Sequence, residues 1–209
     1  VVTTIGLQVG LLMAGAILTD APGARIAAEV LAASGAALII ADDPREALAR
    51  AAAHGPLKVM IPMVTVAEEL SRTAAILDDC VAELHRAGVA AARPPLGIMM
   101  EVPAAALAPD LFREAAFFSI GSNDLTQYLT AASRDEPRVA ALNDSGHPAV
   151  TRLITSLARF GREQAIPVSL CGDMASVPRH LLLLMEAGLT SLSVAPAALA
   201  RVKSALSRI

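Results

Sequence analysis

Asn123 and Asp124 stand just beyond a mostly apolar run, Ala115 to Ile120, within the segment Ser119-Ile-Gly-Ser-Asn-Asp-Leu-Thr-Gln-Tyr128. A polar pair delivered by the end of a strand is a common way to build an active site in parallel α/β proteins. Two further segments repeat the arrangement. Leu96-Gly-Ile-Met-Met-Glu101 ends on a carboxylate, and Pro167-Val-Ser-Leu-Cys171 ends on a thiol followed by Gly172-Asp173-Met174. Glu101 and Asp124 together suit a magnesium ion, which takes oxygen ligands and keeps waters and substrate phosphate in its remaining positions. Each carboxylate could instead cap the helix that follows it. For Asp124 alone capping is the better reading; for the pair, metal is.

A thiol in the position of Cys171 can serve as nucleophile or proton donor, with Gly172 leaving room for a ligand. Alone it would read as an inert core cysteine, and its shared rim with Glu101 and Asp124 shifts the balance. Arg134, in the polar stretch Ser133-Arg-Asp-Glu-Pro-Arg138, is a natural partner for a carboxylate or phosphate, whereas Arg138 reads as surface. His54, His85, His147 and His180 have no metal-ligand spacing, and neither type of glycine-rich phosphate loop is present.

The elements that must carry these residues alternate from end to end. Strand-like runs fall at Thr4 to Val9, Ala36 to Ile40, Leu57 to Pro62, Leu96 to Glu101, Ala116 to Ile120, Pro167 to Cys171 and Leu192 to Val194, with helical patterns between them. Repeated βα units of this kind make a parallel sheet. Seven strands are one short of a closed eight-stranded barrel, and the missing strand could precede Val1, pair differently or be absent. Between the third and fourth strands, Thr65 and Glu68 read as a capping box. Leu70, Ala74, Leu77, Val81 and Leu84 form one apolar face that includes Cys80 nearby, and Gly88 stands at the C-cap. Further helices are expected from Val150 to Gln164, from Pro178 to Ala187 with a stop at Gly188, and from Pro196 onward.

With 209 residues, 55% hydrophobic and only 2% aromatic, the chain suits one domain of helices packed tightly on parallel strands. A net charge of −3, with no basic cluster interleaved by aromatics, gives no footprint of nucleic-acid binding. Two unpatterned cysteines favour a reducing compartment, and cytoplasm is the plain expectation. The apolar first eighteen residues contain Thr3, Thr4 and Gln8 and end near Asp20, which fits a buried strand and helix start better than a membrane span. Because the chain starts within such a run and without Met, it is compatible with a piece of something longer.

Five stretches carry a family resemblance: Val59-Met-Ile-Pro-Met-Val64, Gly97 to Ala105, Phe117 to Tyr128, His147-Pro-Ala-Val150 and Cys171-Gly-Asp-Met174. They resemble the phosphoenolpyruvate-binding carboxy-terminal domain of enzyme I, the phosphoenolpyruvate-protein phosphotransferase of the bacterial sugar phosphotransferase system. The likeness runs from 43 to 209, with 1–42 divergent or shortened. Pyruvate phosphate dikinase and phosphoenolpyruvate synthase share a related N-D-L-T-Q segment, but Tyr128, H-P-A-V and C-G-D-M stand closer to enzyme I.

The resemblance implies a (β/α)8 TIM barrel of the phosphoenolpyruvate/pyruvate type, one domain over 1–209, dimeric in the family. It implies magnesium-dependent binding of phosphoenolpyruvate and phosphoryl transfer to a histidine on a separate domain, with release of pyruvate; that histidine in turn serves a histidine phosphocarrier protein. By this resemblance Glu101 and Asp124 are the magnesium ligands, Asn123 and Arg134 contact phosphoenolpyruvate, and Cys171 protonates the enolate carbon. The family's arginine-bearing L-R-T-E-F motif corresponds to Gly6-Leu-Gln-Val-Gly-Leu-Leu-Met13, which has no arginine. Its R-T-x-D-x-G-G-D and G-x-R segments have no counterpart where Ile39-Ile40 passes directly to Ala41-Asp-Asp-Pro-Arg45. Those departures keep open a second reading, a barrel of this type retained for dimerisation or regulation without turnover.

Overall fold

A computed structural model describes residues 44–208. The strand expectations at Thr4 to Val9 and Ala36 to Ile40, and the arginine-poor stretch, lie outside the described residues. Within them the elements run α1 (Pro44–Ala52), β1 (Val59–Ile61), α2 (Ala67–Arg86), β2 (Leu96–Met100), α3 (Pro103–Leu107), β3 (Phe118–Gly121), α4 (Ser122–Thr130), α5 (Pro148–Glu163), β4 (Val168–Cys171), α6 (Pro178–Glu186) and α7 (Leu199–Leu206). The strands form one sheet in the order β1-β2-β3-β4. β2–β3 and β3–β4 are parallel. The expected strand at Leu192 to Val194 is reduced to one parallel bridge, Leu170 to Leu192, held by Leu170 N–H to Ser191 O at 3.1 Å and Ser193 N–H to Leu170 O at 2.8 Å.

The described residues form two compact units. One comprises 44–59 and 71–96, and the other 60–70 and 97–208. In the first, Ala49, Cys80 and Leu84 make a buried cluster with Val81, Val89 and Ala91 against it, so Cys80 is a core residue. On the expected apolar face of α2, Leu70, Leu77 and Leu84 are buried with Cys80 beside them, while Ala74 and Val81 are half-buried.

The start of α2 differs from expectation by one residue. Glu69, not Glu68, reaches back, its Oε2 accepting from Thr65 N–H at 2.6 Å and Val66 N–H at 3.0 Å. Because Ala67 is the first helical residue, Glu69 stands third in the helix, the position from which a glutamate can satisfy the amide just before the helix. At the other end Gly88 adopts φ +74°, its N–H bonds His85 O at 3.0 Å, and Val89 N–H bonds Leu84 O at 2.9 Å. These two bonds close a Schellman motif, with Val89 packed against the cluster that contains Leu84.

In the second unit α5 supplies Val150, Leu153, Ile154, Leu157 and Ala158 to the core, and Phe160 stacks on Phe118 with centroids 6.3 Å apart. Proline opens α3, α5 and α6, where its missing N–H costs nothing and its fixed φ suits the first turn. His147 caps α5 with Nδ1 accepting from Ala149 N–H at 3.1 Å, which accounts for the His-Pro pair structurally. α6 ends at Gly188, φ +91°, in the same Schellman pattern as α2.

Candidate active site at the strand ends

Register decides which side chains meet. Phe118 pairs with Ile98 on one side and Val168 on the other, and Ile120 with Met100 and Leu170. Because strand side chains alternate, these share one face, and Ile98, Met100, Phe118, Ile120 and Leu170 on it are fully buried. The opposite face carries Met99, Ser119 and Ser169 in one row, then Gly121 paired with Cys171 in the next. Glu101 follows Met100 directly and continues the second row. The three chemistry-bearing strand ends therefore share one face and one level.

Gly121 makes this level habitable. A Cβ there would stand 2.6 Å from Glu101 Oε2 and 2.8 Å from Glu101 Cβ, so only glycine leaves space for the carboxylate between β2 and β4. Glu101 is 3% exposed, and its Oε1 accepts from Met63 N–H at 2.8 Å, in the loop after β1. Met63 holds φ +55°, a conformation uncommon for a side-chain-bearing residue, and in it the amide meets the carboxylate. Burial pushes the Glu101 carboxyl above its ordinary range, the Met63 amide opposes this, and the neighbouring Asp124 carboxylate raises it again by like charge and direct hydrogen bonding.

Asp124 lies in the first turn of α4, where a negative charge is favoured by the helix dipole. The N-cap of that helix, Gly121, has no side-chain cap, so the structure does not show Asp124 spent on capping. Its Oδ1 is 3.8 Å from Arg134 Nη2, a long and half-exposed ion pair. Two carboxylates forced together, one buried and one in a helix first turn, form an oxygen donor set with excess negative charge. That set fits a magnesium ion. Among the described residues no group of three or more histidine, cysteine, aspartate or glutamate side chains has metal-binding geometry.

Cys171 Sγ accepts from Ser119 Oγ at 3.6 Å and donates to Ile120 O at 3.5 Å. Burial pushes the thiol up, the Ser119 hydroxyl draws it down, and the charges of Glu101 and Asp124 push it further up. Burial and the two carboxylate charges thus favour the thiol over the thiolate, which suits a proton donor better than an attacking thiolate. Asn123 is bound at both ends of its amide: Oδ1 accepts from Asp173 N–H at 2.9 Å, and Nδ2 donates to Asp173 Oδ2 at 3.2 Å. Beside it a cavity of about 300 Å³ is lined by Ser122, Asn123, Thr126, Arg134, Asn143 and Asp173 among others.

The structure thus brings Glu101, Asp124 and Cys171 within electrostatic reach of one another, and places Asn123 and Arg134 together on the cavity. Arg138, exposed and paired with Glu136 at 2.9 Å, is surface as expected. Sequence reasoning left Gly121, Ser119, Asp173 and the Met63 amide without a part. Alternation along β3 puts Ser119 and Gly121 on one face and could have singled them out; the Met63 contact, 38 residues away from Glu101, had no such signal.

The family model for the PEP-binding domain of PEP-utilising enzymes matches residues 39–209. Among curated relatives, the phosphoenolpyruvate-protein phosphotransferase of Cupriavidus necator is 41% identical over 159 residues, covering 75% of this chain and 27% of the relative. That of Streptococcus equinus is 38% identical, covering 78% and 29%, and the multiphosphoryl transfer protein of Rhodobacter capsulatus is 42% identical, covering 77% and 19%. The chain thus spans less than a third of these relatives' length. Among solved structures, a citrate lyase from Burkholderia xenovorans superposes with a TM-score of 0.53 at 18% identity, covering 89% of this chain and 65% of that one. A Haloferax volcanii malate synthase gives 0.52 at 15%, covering 73% and 44%. Likeness at this identity carries the α/β fold and no chemistry. Through the motifs on its strand ends and the match over 39–209, the chain belongs to the PEP-utilising enzyme family, as its PEP-binding domain.

Proposed function

We propose that the chain is the phosphoenolpyruvate-binding barrel domain, read over 1–209, of a phosphoenolpyruvate-protein phosphotransferase. The observation that carries this is the shared level of Glu101, Gly121 and Cys171, with Asp124 turned onto Glu101. Glu101 and Asp124 would hold magnesium, which when bound supplies a positive centre to offset the substrate's phosphate charge. Asn123 and Arg134 contact phosphoenolpyruvate, the guanidinium offsetting its carboxylate or phosphate.

As the phosphoryl group leaves for a histidine nitrogen on a separate domain, the bond between phosphorus and the enol oxygen breaks. The electron pair returns through the enolate to its terminal carbon. Cys171 gives its proton to that carbon, leaving a thiolate beside the Ser119 hydroxyl and releasing pyruvate. Onward transfer to a histidine phosphocarrier protein, a homodimeric assembly and a cytoplasmic location complete the reading. The family match supports the onward transfer and two free cysteines suit a reducing compartment; no described helix is long and apolar enough to cross a membrane.

A second reading, a dimerisation or regulatory barrel without turnover, is favoured by one observation: the stretch Gly6 to Met13 lacks the family's arginine. Calorimetry separates the two. Magnesium-dependent binding of phosphoenolpyruvate to the full chain, abolished by Glu101→Gln, supports the first. No heat at millimolar phosphoenolpyruvate with magnesium overturns it.

A further inference from the structure

We propose that Asp173 is a positioning residue that sets the Asn123 amide for the phosphoenolpyruvate ligand, an inference that rests on the reading above. A free asparagine amide has two nearly isosteric orientations, distinguished only by what its oxygen and nitrogen meet. Here both are specified by one residue. The Asp173 backbone N–H donates to Asn123 Oδ1 at 2.9 Å, and the Asp173 carboxylate accepts from Asn123 Nδ2 at 3.2 Å. Flipping the amide would set its NH2 group against the Asp173 N–H and its oxygen against the carboxylate, donor on donor and acceptor on acceptor.

The same junction is buttoned in two other ways. Ser122 Oγ donates to Cys171 O at 2.9 Å, and Gly172 holds φ +104°, ψ 178° with its Cα so near α4 that a Cβ would meet Ser122 Oγ and stand 2.8 Å from Asn123 Oδ1. The turn after β4 and the first turn of α4 are thereby joined, tying the backbone that carries Cys171 to the helix that carries Asp124. Asn123 has two N–H groups and Asp173 takes one, so the other remains for a ligand. Asn123, Asp173 and Arg134 line the same cavity. An acidic residue facing an anionic ligand's site would repel it, and holding the amide gives Asp173 a reason to be there.

Three variants of the full chain test this, Asp173→Ala, Asp173→Asn and Asn123→Ala, together with the double variant Asn123→Ala/Asp173→Ala. In the ligand-free chain, nuclear magnetic resonance of the Asn123 side-chain NH2 pair, assigned by its loss in Asn123→Ala, reads the clamp directly. The pair should move in Asp173→Ala and stay near its native position in Asp173→Asn, whose amide oxygen can still accept. Calorimetry with magnesium and phosphoenolpyruvate should show Kd rising about 3- to 10-fold in Asp173→Ala, the loss of one modest hydrogen bond, with recovery in Asp173→Asn. The double variant should bind no worse than Asn123→Ala alone, because Asp173 acts through Asn123.

An unmoved NH2 pair in Asp173→Ala overturns the inference whatever binds. So does wild-type affinity in Asp173→Ala, or a double variant whose loss is the product of the two single losses. If the native chain binds no phosphoenolpyruvate while Asp173→Ala still displaces the NH2 pair, the functional reading falls and the clamp stands.

Discussion

Replacing Gly172 by alanine probes the junction on which the site depends. Two costs add there. A side chain at φ +104°, ψ 178° occupies a region that essentially only glycine adopts, at about 1–3 kcal/mol. The new Cβ would also meet Ser122 Oγ and stand 2.8 Å from Asn123 Oδ1, and overpacking of this kind costs roughly 1–3 kcal/mol. At the middle of the combined range, about 4 kcal/mol, a chain of this size should melt ~8–16 °C lower. Gly88→Ala is the control, because φ is +74° but nothing lies within 4 Å of its Cβ. There only the left-handed backbone is charged, about 1–2 kcal/mol and ~2–8 °C. Differential scanning calorimetry of both variants beside the native chain measures the difference. The Gly172 variant should also displace the Asn123 NH2 resonances, and the Gly88 variant should not. Equal melting points for the two variants would refute the close approach of the β4 turn to α4.

Other outcomes follow from contacts away from the junction. Arg162 Nη1 donates to Ala187 O at 2.8 Å at the end of α6, and Gly188 leaves its guanidinium room, since a Cβ there would overlap Nη1. Arg162→Met should cost about 1–2 kcal/mol, and Gly188→Ala should hurt less in that background than in the native one, as a double-mutant cycle of melting free energies would show. Glu69, whose carboxylate is drawn below the ordinary value near 4.5 by the Thr65 and Val66 amides, contributes stability that is present above that value. That contribution is lost as pH falls through its depressed pKa, so the melting-point advantage of the native chain over Glu69→Gln should shrink to nothing on acidification; an advantage that grows in acid would be wrong. His180, buried and accepting from Arg179 Nε at 3.2 Å, is held below the ordinary 6.5 first by burial and then by the Arg179 charge, with Asp144 opposing. Its contribution is present above pH 6.5 and lost as pH falls through the depressed value, so His180→Gln should lose less melting temperature than the native chain between pH 7 and 5.

The helices were legible because their signals are local. Proline at the first turn of α5 and α6, glycine at 88 and 188, and the face from Leu70 to Leu84 each act within a turn or two of chain. The capping box slipped by one residue because Glu68 and Glu69 are both glutamate, and only the fixed start at Ala67 decides which one reaches back. The last strand, Leu192 to Val194, was over-read for the opposite reason. A run of alternating residues specifies extended backbone, but how many ladder bonds it makes depends on its neighbour, and here Leu170 offers one bridge.

Glu101, Asp124 and Cys171 could be picked out as residues on strand ends, and the motifs around them carried the family. The alternation of elements, the types of donor at the strand ends and the family are thus written in local patterns of the chain. That Gly121 yields its side-chain space to Glu101, that the Met63 amide pins that carboxylate and that Asp173 holds Asn123 emerge only from the folded chain. The physical reason is separation: each of these contacts joins residues 20 to 50 positions apart through register and close approach, and no local pattern encodes where two backbones will meet.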